Sequence, residues 1–180
     1  SYLDIRTIIV SCGTCLDQLL KYQLQQIFPG CRTMDIHEFL MEKGLSLENS
    51  GKKYLYHEPC HSPMKHHDPV DVASKLLSAD VLLSDRCCGE SGTFAISRPD
   101  IATQVRYRKQ EELFNNIETL TGETGKAEDL KILTSCPSCQ QGMARYEKST
   151  GLGTDYIVVE LAASLLGENW MNESAEKIRK

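Results

Sequence analysis

Two adjacent cysteines followed by two glycines form the most constraining stretch of this sequence, Cys87-Cys88-Gly89-Glu90-Ser91-Gly92. Successive side chains on an extended strand point to opposite faces, so neighbouring thiols do not converge there. A disulfide between them is also unfavourable, because consecutive Cα atoms lie about 3.8 Å apart and disulfides need roughly 4.4–6.8 Å. Gly89 and Gly92 can both take positive φ. We therefore expect a turn that aims both sulfur atoms at one large object, such as a cluster of metal atoms.

Short apolar runs alternate with helical patterns along the chain. The predicted strands are 7–10, 53–57, 81–83, 131–135 and 157–159. Helices are predicted after Cys15 as far as Ile27, over 36–44 with Asp35 as N-cap, over 68–79 and 99–116, after Cys139, and through Leu161 to Leu166. This alternation predicts an α/β fold with a mostly parallel sheet flanked by helices.

The cysteines follow the predicted strands. In open α/β sheets, ligands bind outside the carboxyl ends of the strands, where consecutive parallel strands meet at one edge. The fold therefore predicts that seven of the eight cysteines gather at the C-terminal ends of the strands, namely Cys12, Cys15, Cys60, Cys87, Cys88, Cys136 and Cys139. Cys31 fits no such position, and we expect it to be a small buried apolar residue.

Composition excludes several classes of protein. The 180 residues are 41% hydrophobic and 25% charged, as in soluble globular proteins, and a net charge of −5 gives no basic surface for nucleic acid. No apolar run approaches the roughly 18 residues of a membrane span, and no signal peptide is recognisable. A disulfide framework belongs mostly to short secreted chains, so an intracellular, cytoplasmic metal protein is the better interpretation.

Three kinds of chemistry remain open for these cysteines. A thioredoxin-type site would use the Cys136-Pro137-Ser138-Cys139 motif alone and would leave Cys60, Cys87 and Cys88 unexplained. A tetrahedral zinc takes four ligands, so a fifth sulfur would be surplus. An iron–sulfur cluster, which thiolates hold on more than one iron, uses the whole set more naturally.

The order of these motifs resembles the CCG cysteine-rich domain. This family occurs in the B subunit of heterodisulfide reductases and in iron–sulfur subunits that accompany FAD-linked glycolate, lactate and glycerol-3-phosphate dehydrogenases. His57-Glu58-Pro59-Cys60-His61 is similar to the family's His-Asp-Pro-Cys-His, with Glu58 in place of Asp. The Cys-Cys-Gly stretch, with Gly92 and Thr93-Phe94, is similar to its second motif, and the Cys-x-x-Cys at 136–139 to its third.

The resemblance implies a site and its cofactor. Cys60, Cys87, Cys88, Cys136 and Cys139 would hold a [4Fe–4S] cluster, which has a non-cubane form in heterodisulfide reductases, with zinc as the alternative metal. Gly89 and Gly92 would form the turn beside it. His57 and His61 would hydrogen-bond to sulfur rather than bind the metal.

The resemblance also implies an arrangement of domains. Family members commonly carry two tandem copies, and the strand-Ser-Cys-x-x-Cys pattern occurs at both 8–15 and 132–139. Residues 1–50 would then be the end of a preceding repeat, 51–170 a complete CCG domain and 171–180 a tail. Cys12 and Cys15 would serve a second site that needs further ligands.

The implied function is electron transfer within a flavin-linked oxidoreductase, of the 2-hydroxy-acid dehydrogenase or heterodisulfide reductase type. The chain would be the C-terminal part of a fusion to an FAD-linked oxidase, with a ferredoxin-like iron–sulfur segment and with a quinone or another electron acceptor. It would not catalyse the reaction alone, and its partners could hold it at the inner membrane. A zinc-stabilised docking domain and a thiol–disulfide oxidoreductase are the alternative functions.

Overall fold

The computed structural model describes residues 4–49, 51–90, 93–122 and 130–179. The strands in these residues are β1 (Thr7–Val10), β2 (Arg32–Asp35), β3 (Lys53–His57), β4 (Val81–Ser84), β5 (Leu130–Thr134) and β6 (Gly153–Tyr156). The helices are α1 (Gly13–Lys21), α2 (Leu24–Ile27), α3 (Ile36–Glu42), α4 (Pro69–Leu77), α5 (Phe94–Ser97), α6 (Pro99–Thr121), α7 (Pro137–Ala144), α8 (Glu147–Thr150), α9 (Ile157–Leu166) and α10 (Trp170–Ile178).

Two parallel sheets organise the fold. One has the order β4-β3-β5-β6 and the other pairs β1 with β2, and every pairing is parallel. In the larger sheet His57 lies opposite Ser84 on one side and Thr134 on the other, so three strands end level with one another. The predicted α/β class is confirmed, and the level ends place three cysteine-bearing loops side by side.

The central strand β3 is buried on both faces. Tyr54, Leu55 and Tyr56 are all at most 2% exposed, because helices cover each side of the sheet. On one face Leu55 and Ile132 pack with side chains of α6 and α7. On the other face Tyr54, Tyr56 and Leu133 pack with α4 and α9. This two-sided burial gives the cysteine loops a rigid base.

The short repeat in the sequence extends much further in the structure. The unit β1-α1-α2-β2-α3 has the same order of elements as β5-α7-α8-β6-α9. Both units form one parallel strand pair, and in both the second helix ends shortly before the second strand begins. The third helix then follows its strand directly, at Ile36 and at Ile157. The Cys-x-x-Cys motif is thus one part of a repeated supersecondary unit.

Several predicted elements are correct and others are not. Asp35 caps α3, since its Oδ1 accepts a hydrogen bond of 2.8 Å from the His37 backbone N–H. The predicted last strand, 157–159, is wrong: these residues begin α9, and the strand is β6, four residues earlier. The β-branched run indicated a strand by propensity alone, and packing of Ile157 in the core overrides that weak preference.

Other differences concern the ends of elements. The helix after Cys15 breaks at Gln23, which has φ of 49°, and β2 was not predicted because Arg-Thr-Met-Asp carries no apolar run. Helix α6 continues to Thr121, beyond its predicted end at 116, and Ile101 near its start is exposed. Most of the polar stretch 121–129 lies outside the described residues.

The C-terminal segment forms a helix where the sequence suggested a tail. Helix α10 has no buried residue and contacts α9, and Trp170 at its start is half-buried rather than part of the core. Throughout the described part of the chain, no helix combines the length and the apolar character needed to cross a bilayer.

Candidate metal centre

Five cysteines converge at the C-terminal edge of the larger sheet. Cys60 follows β3, Cys87 and Cys88 follow β4, and Cys136 and Cys139 lie at the start of α7, directly after β5. All five line one cavity of about 150 Å³. The structure therefore brings together every cysteine that the sequence assigned to the principal site.

The sulfur atoms form an inner and an outer pair. The buried pair, Cys88 and Cys139, has its Sγ atoms 3.5 Å apart, and the exposed pair, Cys60 and Cys87, has them 3.9 Å apart. None of the five is in a disulfide, whose S–S length is about 2.05 Å. Adjacent residues of the Cys-Cys pair thus belong to different layers of the site.

A glycine turn separates those two layers. Gly89 has φ of +73°, a backbone conformation that residues other than glycine rarely adopt. Its backbone N–H donates to Cys87 Sγ at 3.3 Å. The turn thus stabilises one sulfur as an acceptor while the chain redirects Cys88 inward. Gly92, the second glycine of the predicted turn, lies outside the described residues.

The thiols of the site shift one another's pKa values in opposite directions. Hydrogen bonds from Cys139 and the backbone of the first turn of α7 lower the pKa of Cys136 to about 6. The thiols of Cys139 and Cys87 hold the pKa of Cys88 well below its usual range. In return, proximity to Cys136 and Cys88 raises the pKa of Cys139, and Cys88 raises that of Cys87. These opposite pKa shifts arise because the four thiols lie close enough to hydrogen-bond to one another, as sulfur donors around one cation would.

His57 lies beside the buried sulfur pair of Cys88 and Cys139. It is 1% exposed, and its Nδ1 lies 3.2 Å from the Ser84 carbonyl oxygen. Its Nε2 is buried without a hydrogen-bond partner, and a ring nitrogen of His57 lies within 4.8 Å of the sulfur atoms of Cys88 and Cys139. A carbonyl only accepts, so Nδ1 carries the proton, and a neutral ring then presents a lone pair at Nε2.

His61 has a different environment. Its Nδ1 lies 2.9 Å from Asp17 Oδ2 on α1, and Lys65 pairs with the other carboxylate oxygen at 3.1 Å. These contacts lower the pKa of Asp17, with His61 the larger cause. His61 therefore fastens α1 to the Cys60 loop, which is a role that the sequence did not indicate.

Two glycines allow close packing around the cavity. A Cβ on Gly13 would lie 1.7 Å from the His61 carbonyl oxygen, so only glycine fits where α1 crosses the Cys60 loop. A Cβ on Gly142 would lie 3.2 Å from Cys88 Cβ and 3.4 Å from its Sγ. Neither glycine belongs to the Cys-Cys-Gly motif, and only the packing of distant segments identifies them.

Cys12 and Cys15 occupy the equivalent place in the N-terminal unit. Cys12 is the N-cap residue of α1, and its thiol raises the pKa of the exposed Cys15 by hydrogen bonding to it. The Tyr156 hydroxyl lies within hydrogen-bonding distance of the carbonyl oxygens of both Ser11 and Ser135, which precede the two Cys-x-x-Cys motifs, and its one proton is shared between them. The two motifs are thus neighbours joined through one phenol. Cys31, as predicted, is buried.

A second, more open cavity of about 510 Å³ lies beside the outer pair. It is lined by Arg86, Cys87, Val105, Arg108 and Glu111. Arg86 donates to the Arg108 carbonyl oxygen at 2.9 Å. Cys87 therefore borders both cavities and is exposed to solvent.

The residues of the site fit a metal or a metal–sulfur cluster. Five free thiols, two of them with a lowered pKa, provide thiolate ligands, and the buried Nε2 of His57 lacks any protein partner. Soft thiolates select zinc, copper(I) and iron–sulfur clusters. Among the described residues, the sequence did not predict a role for Gly13, Gly142 or Lys109. Only Lys109 has a sequence signal, because it is a lysine at the spacing of the apolar residues of α6.

Comparison with known proteins agrees with this chemistry. Residues 144–180 match a domain of unknown function, DUF3400. An uncharacterised iron–sulfur protein of Methanococcus maripaludis is 24% identical over 91% of this chain and 32% of its own length. The glycolate oxidase iron–sulfur subunit of Escherichia coli is 32% identical over 62% of this chain and 26% of its own. The B subunit of the fumarate reductase (CoM/CoB) of Methanothermobacter marburgensis is 23% identical over 82% and 29%.

These relatives are much longer than the chain, which spans about a third of their length or less. No solved structure matches the chain significantly. Residues 54–144, from β3 to the end of α7, match the CCG cysteine-rich domain. That segment contains the five converging cysteines and half of the chain, so the protein belongs to the CCG cysteine-rich domain family.

Proposed function

We propose that this chain is an iron–sulfur electron-transfer module of a larger oxidoreductase, with a [4Fe–4S] cluster bound by Cys60, Cys87, Cys88, Cys136 and Cys139. The observation that carries the proposal is the convergence of these five free thiols on one cavity at the ends of three parallel strands. Its relatives named as iron–sulfur proteins and as oxidoreductase subunits support the same conclusion. When bound, such a cluster accepts and releases single electrons.

The residues of the chain would orient and shield that cluster. Gly89 holds Cys87 outward while Cys88 turns inward, and Gly142 leaves room for the α7 backbone against Cys88. Cys88 and Cys139 are at most 6% exposed, so their side keeps water out. Cys60 and Cys87 remain exposed, and we propose that electrons enter or leave on that side.

We further propose that the module works with an FAD-linked oxidase domain and a ferredoxin-like segment that oxidise a 2-hydroxy acid or a similar substrate, and that it passes the electrons to a quinone or another acceptor. The relative from the glycolate oxidase favours this pairing, and the relative from the fumarate reductase favours a wider class of reductases. The chain by itself would turn over no substrate.

The structural repeat supports the proposed domain arrangement. Residues 1–50 would be the end of a preceding CCG repeat, since β1-α1-α2-β2-α3 has the element order of β5-α7-α8-β6-α9. Residues 51–170 would be a complete copy, and 171–180 a terminal extension. Cys12 and Cys15 would then belong to a second site, completed by cysteines that correspond to Cys60 and the Cys87-Cys88 pair.

A zinc-stabilised docking domain is the second candidate, because one compact group of donors favours it. A ring nitrogen of His57 and the sulfur atoms of Cys88 and Cys139 lie within 4.8 Å of one another, and one more thiol would complete a tetrahedral site. Zinc would leave at least one of the five cysteines unused. Substitution of each cysteine in turn therefore distinguishes the two candidates, because a zinc site would tolerate the loss of the unused cysteine.

Single serine substitutions of the five cysteines test the proposal. For a cluster, each of the five variants loses most of the iron and changes the visible spectrum after anaerobic reconstitution. The matched control is Cys31→Ser, a buried cysteine away from the site, which should retain both. A variant of the five that binds one zinc as tightly as the parent protein, with no sulfide, would instead indicate a zinc domain. If a cysteine variant lost thiol–disulfide exchange activity while its metal content stayed unchanged, the protein would be a thiol–disulfide enzyme.

A further inference from the structure

Helix α6 carries a lysine with no exposed surface. Lys109 is 0% exposed and lies at the end of β4, where its Nζ donates to Ser84 Oγ at 2.6 Å and to the Ser84 carbonyl oxygen at 3.3 Å. Its ion-pair partner is Glu112, one helical turn away, with Nζ and Oε2 2.7 Å apart. Burial of a charged group is costly, so a fully buried lysine at this position requires an explanation.

The Ser84 carbonyl connects this lysine to the cysteine site. The same oxygen atom lies 3.2 Å from His57 Nδ1, so a lysine and a histidine share one acceptor. A ring nitrogen of His57 lies within 4.8 Å of the sulfur atoms of Cys88 and Cys139. A continuous contact path therefore runs from Glu112 through Lys109, Ser84 and His57 to the inner sulfur pair.

The charges along this path are complementary. Lys109 is a buried cation whose electrostatic interaction with a thiolate at Cys88 is favourable. Burial lowers the pKa of Lys109, and Glu112 opposes that effect. The ion pair thus keeps the ammonium charged beneath a site that must accommodate several thiolates.

We propose that Lys109 is a positioning residue of the cysteine site: it fixes His57 through the Ser84 carbonyl and stabilises negative charge on the bound thiolates. The proposal rests on the proposed function in that the thiolates are metal ligands, but it does not require that the metal be iron. Lys109 touches neither a ligand sulfur nor a substrate. Reduction adds one negative charge at the site, so the ammonium favours the reduced form.

Reduction potentials of the reconstituted protein test this role. Lys109→Met removes the cation and should shift the midpoint potential in the negative direction. Lys109→Arg keeps the charge, so its potential should stay close to that of the parent protein. Glu112→Gln removes the opposing anion and should shift it in the positive direction. The control is Lys131→Met, which breaks another lysine–carboxylate pair, with Glu160, away from the cysteines. It should leave the potential unchanged.

Loss of the lysine also leaves Glu112 nearly buried and unpaired, which would destabilise the fold. The double variant Lys109→Met/Glu112→Gln avoids that effect and should bind cluster with a potential near that of the parent protein. Equal potentials for the parent, Lys109→Met and Glu112→Gln would overturn the proposal.

Cobalt(II) titration of the metal-free chain tests the same residue independently of iron. Thiolate-to-cobalt absorption reports binding, and the double variant Lys109→Met/Glu112→Gln should bind about tenfold more weakly or worse, as is typical when residues that support metal ligands are removed. If reconstitution yields no iron but this loss is found, the iron–sulfur function fails and the role of Lys109 stands. If iron binds but substitution of Lys109 changes neither the midpoint potential nor the cobalt affinity, the iron–sulfur function stands and the proposed role of Lys109 fails.

Discussion

Substitution of Gly13 by alanine tests how tightly the N-terminal unit is joined to the Cys60 loop. The new Cβ would lie 1.7 Å from the His61 carbonyl oxygen and 2.7 Å from its carbon, and neither atom belongs to a flexible side chain. One of the two backbone segments would have to move by more than an ångström. Overpacking costs about 1–3 kcal/mol and at times more, and the gain in helix propensity from glycine to alanine offsets at most about 1 kcal/mol.

We therefore expect Gly13→Ala to lower the free energy of unfolding by about 2 kcal/mol, which corresponds to roughly 4–8 °C in Tm for a chain of this size. Urea denaturation of the metal-free protein, followed by circular dichroism, measures it. Gly153→Ala is the control, since its Cβ would meet only Lys131 Cγ at an ordinary 3.7 Å. Equal stability of the two variants would refute the packing of α1 on the Cys60 loop.

Three further predictions concern single side chains. Tyr156→Phe removes the hydroxyl that contacts the chain before both Cys-x-x-Cys motifs, so it should cost about 1 kcal/mol of stability and speed the alkylation of Cys12; unchanged alkylation would contradict the contact. In the metal-free protein, alkylation of Cys136 should rise with pH around 6 and then level off, because its pKa is lowered. Cys15, whose pKa is raised, should still gain reactivity above pH 9, and identical profiles would refute the difference. Gly142→Ala should reduce iron content by crowding Cys88, which full occupancy would disprove.

Much of the fold and of the site could be predicted because both depend on local patterns. Apolar runs identify β1, β3, β4 and β5, and the ends of the parallel strands β3, β4 and β5 meet at one edge, so the five cysteines that follow them converge. Cys12 and Cys15 follow β1, which belongs to the separate two-stranded sheet. The Cys-Cys-Gly stretch likewise predicts its own turn, since Gly89 takes the expected positive φ. In each case the information lies within a few residues of the motif.

The remaining features depend on distant contacts. The run Ile157-Val158-Val159 has strand propensity, but it forms the first turn of α9 because Ile157 packs into the core beside α4. Gly13 is an ordinary helical residue until His61 is placed against it. Lys109 shares the apolar face of α6 with Ala102 and Leu113, but only the position of Ser84 explains why a lysine is buried there. Local propensity carries none of this information.

Iron and acid-labile sulfide, determined after anaerobic reconstitution together with EPR spectra of the oxidised and reduced protein, test the central claim most directly. The account predicts about four iron and four sulfide per chain at the principal site, with a paramagnetic signal in one redox state. It also predicts that the signal is lost in Cys88→Ser and kept in Cys31→Ser. One tightly bound zinc with no sulfide, unchanged by reconstitution, would contradict the account and make the five-cysteine site a structural one.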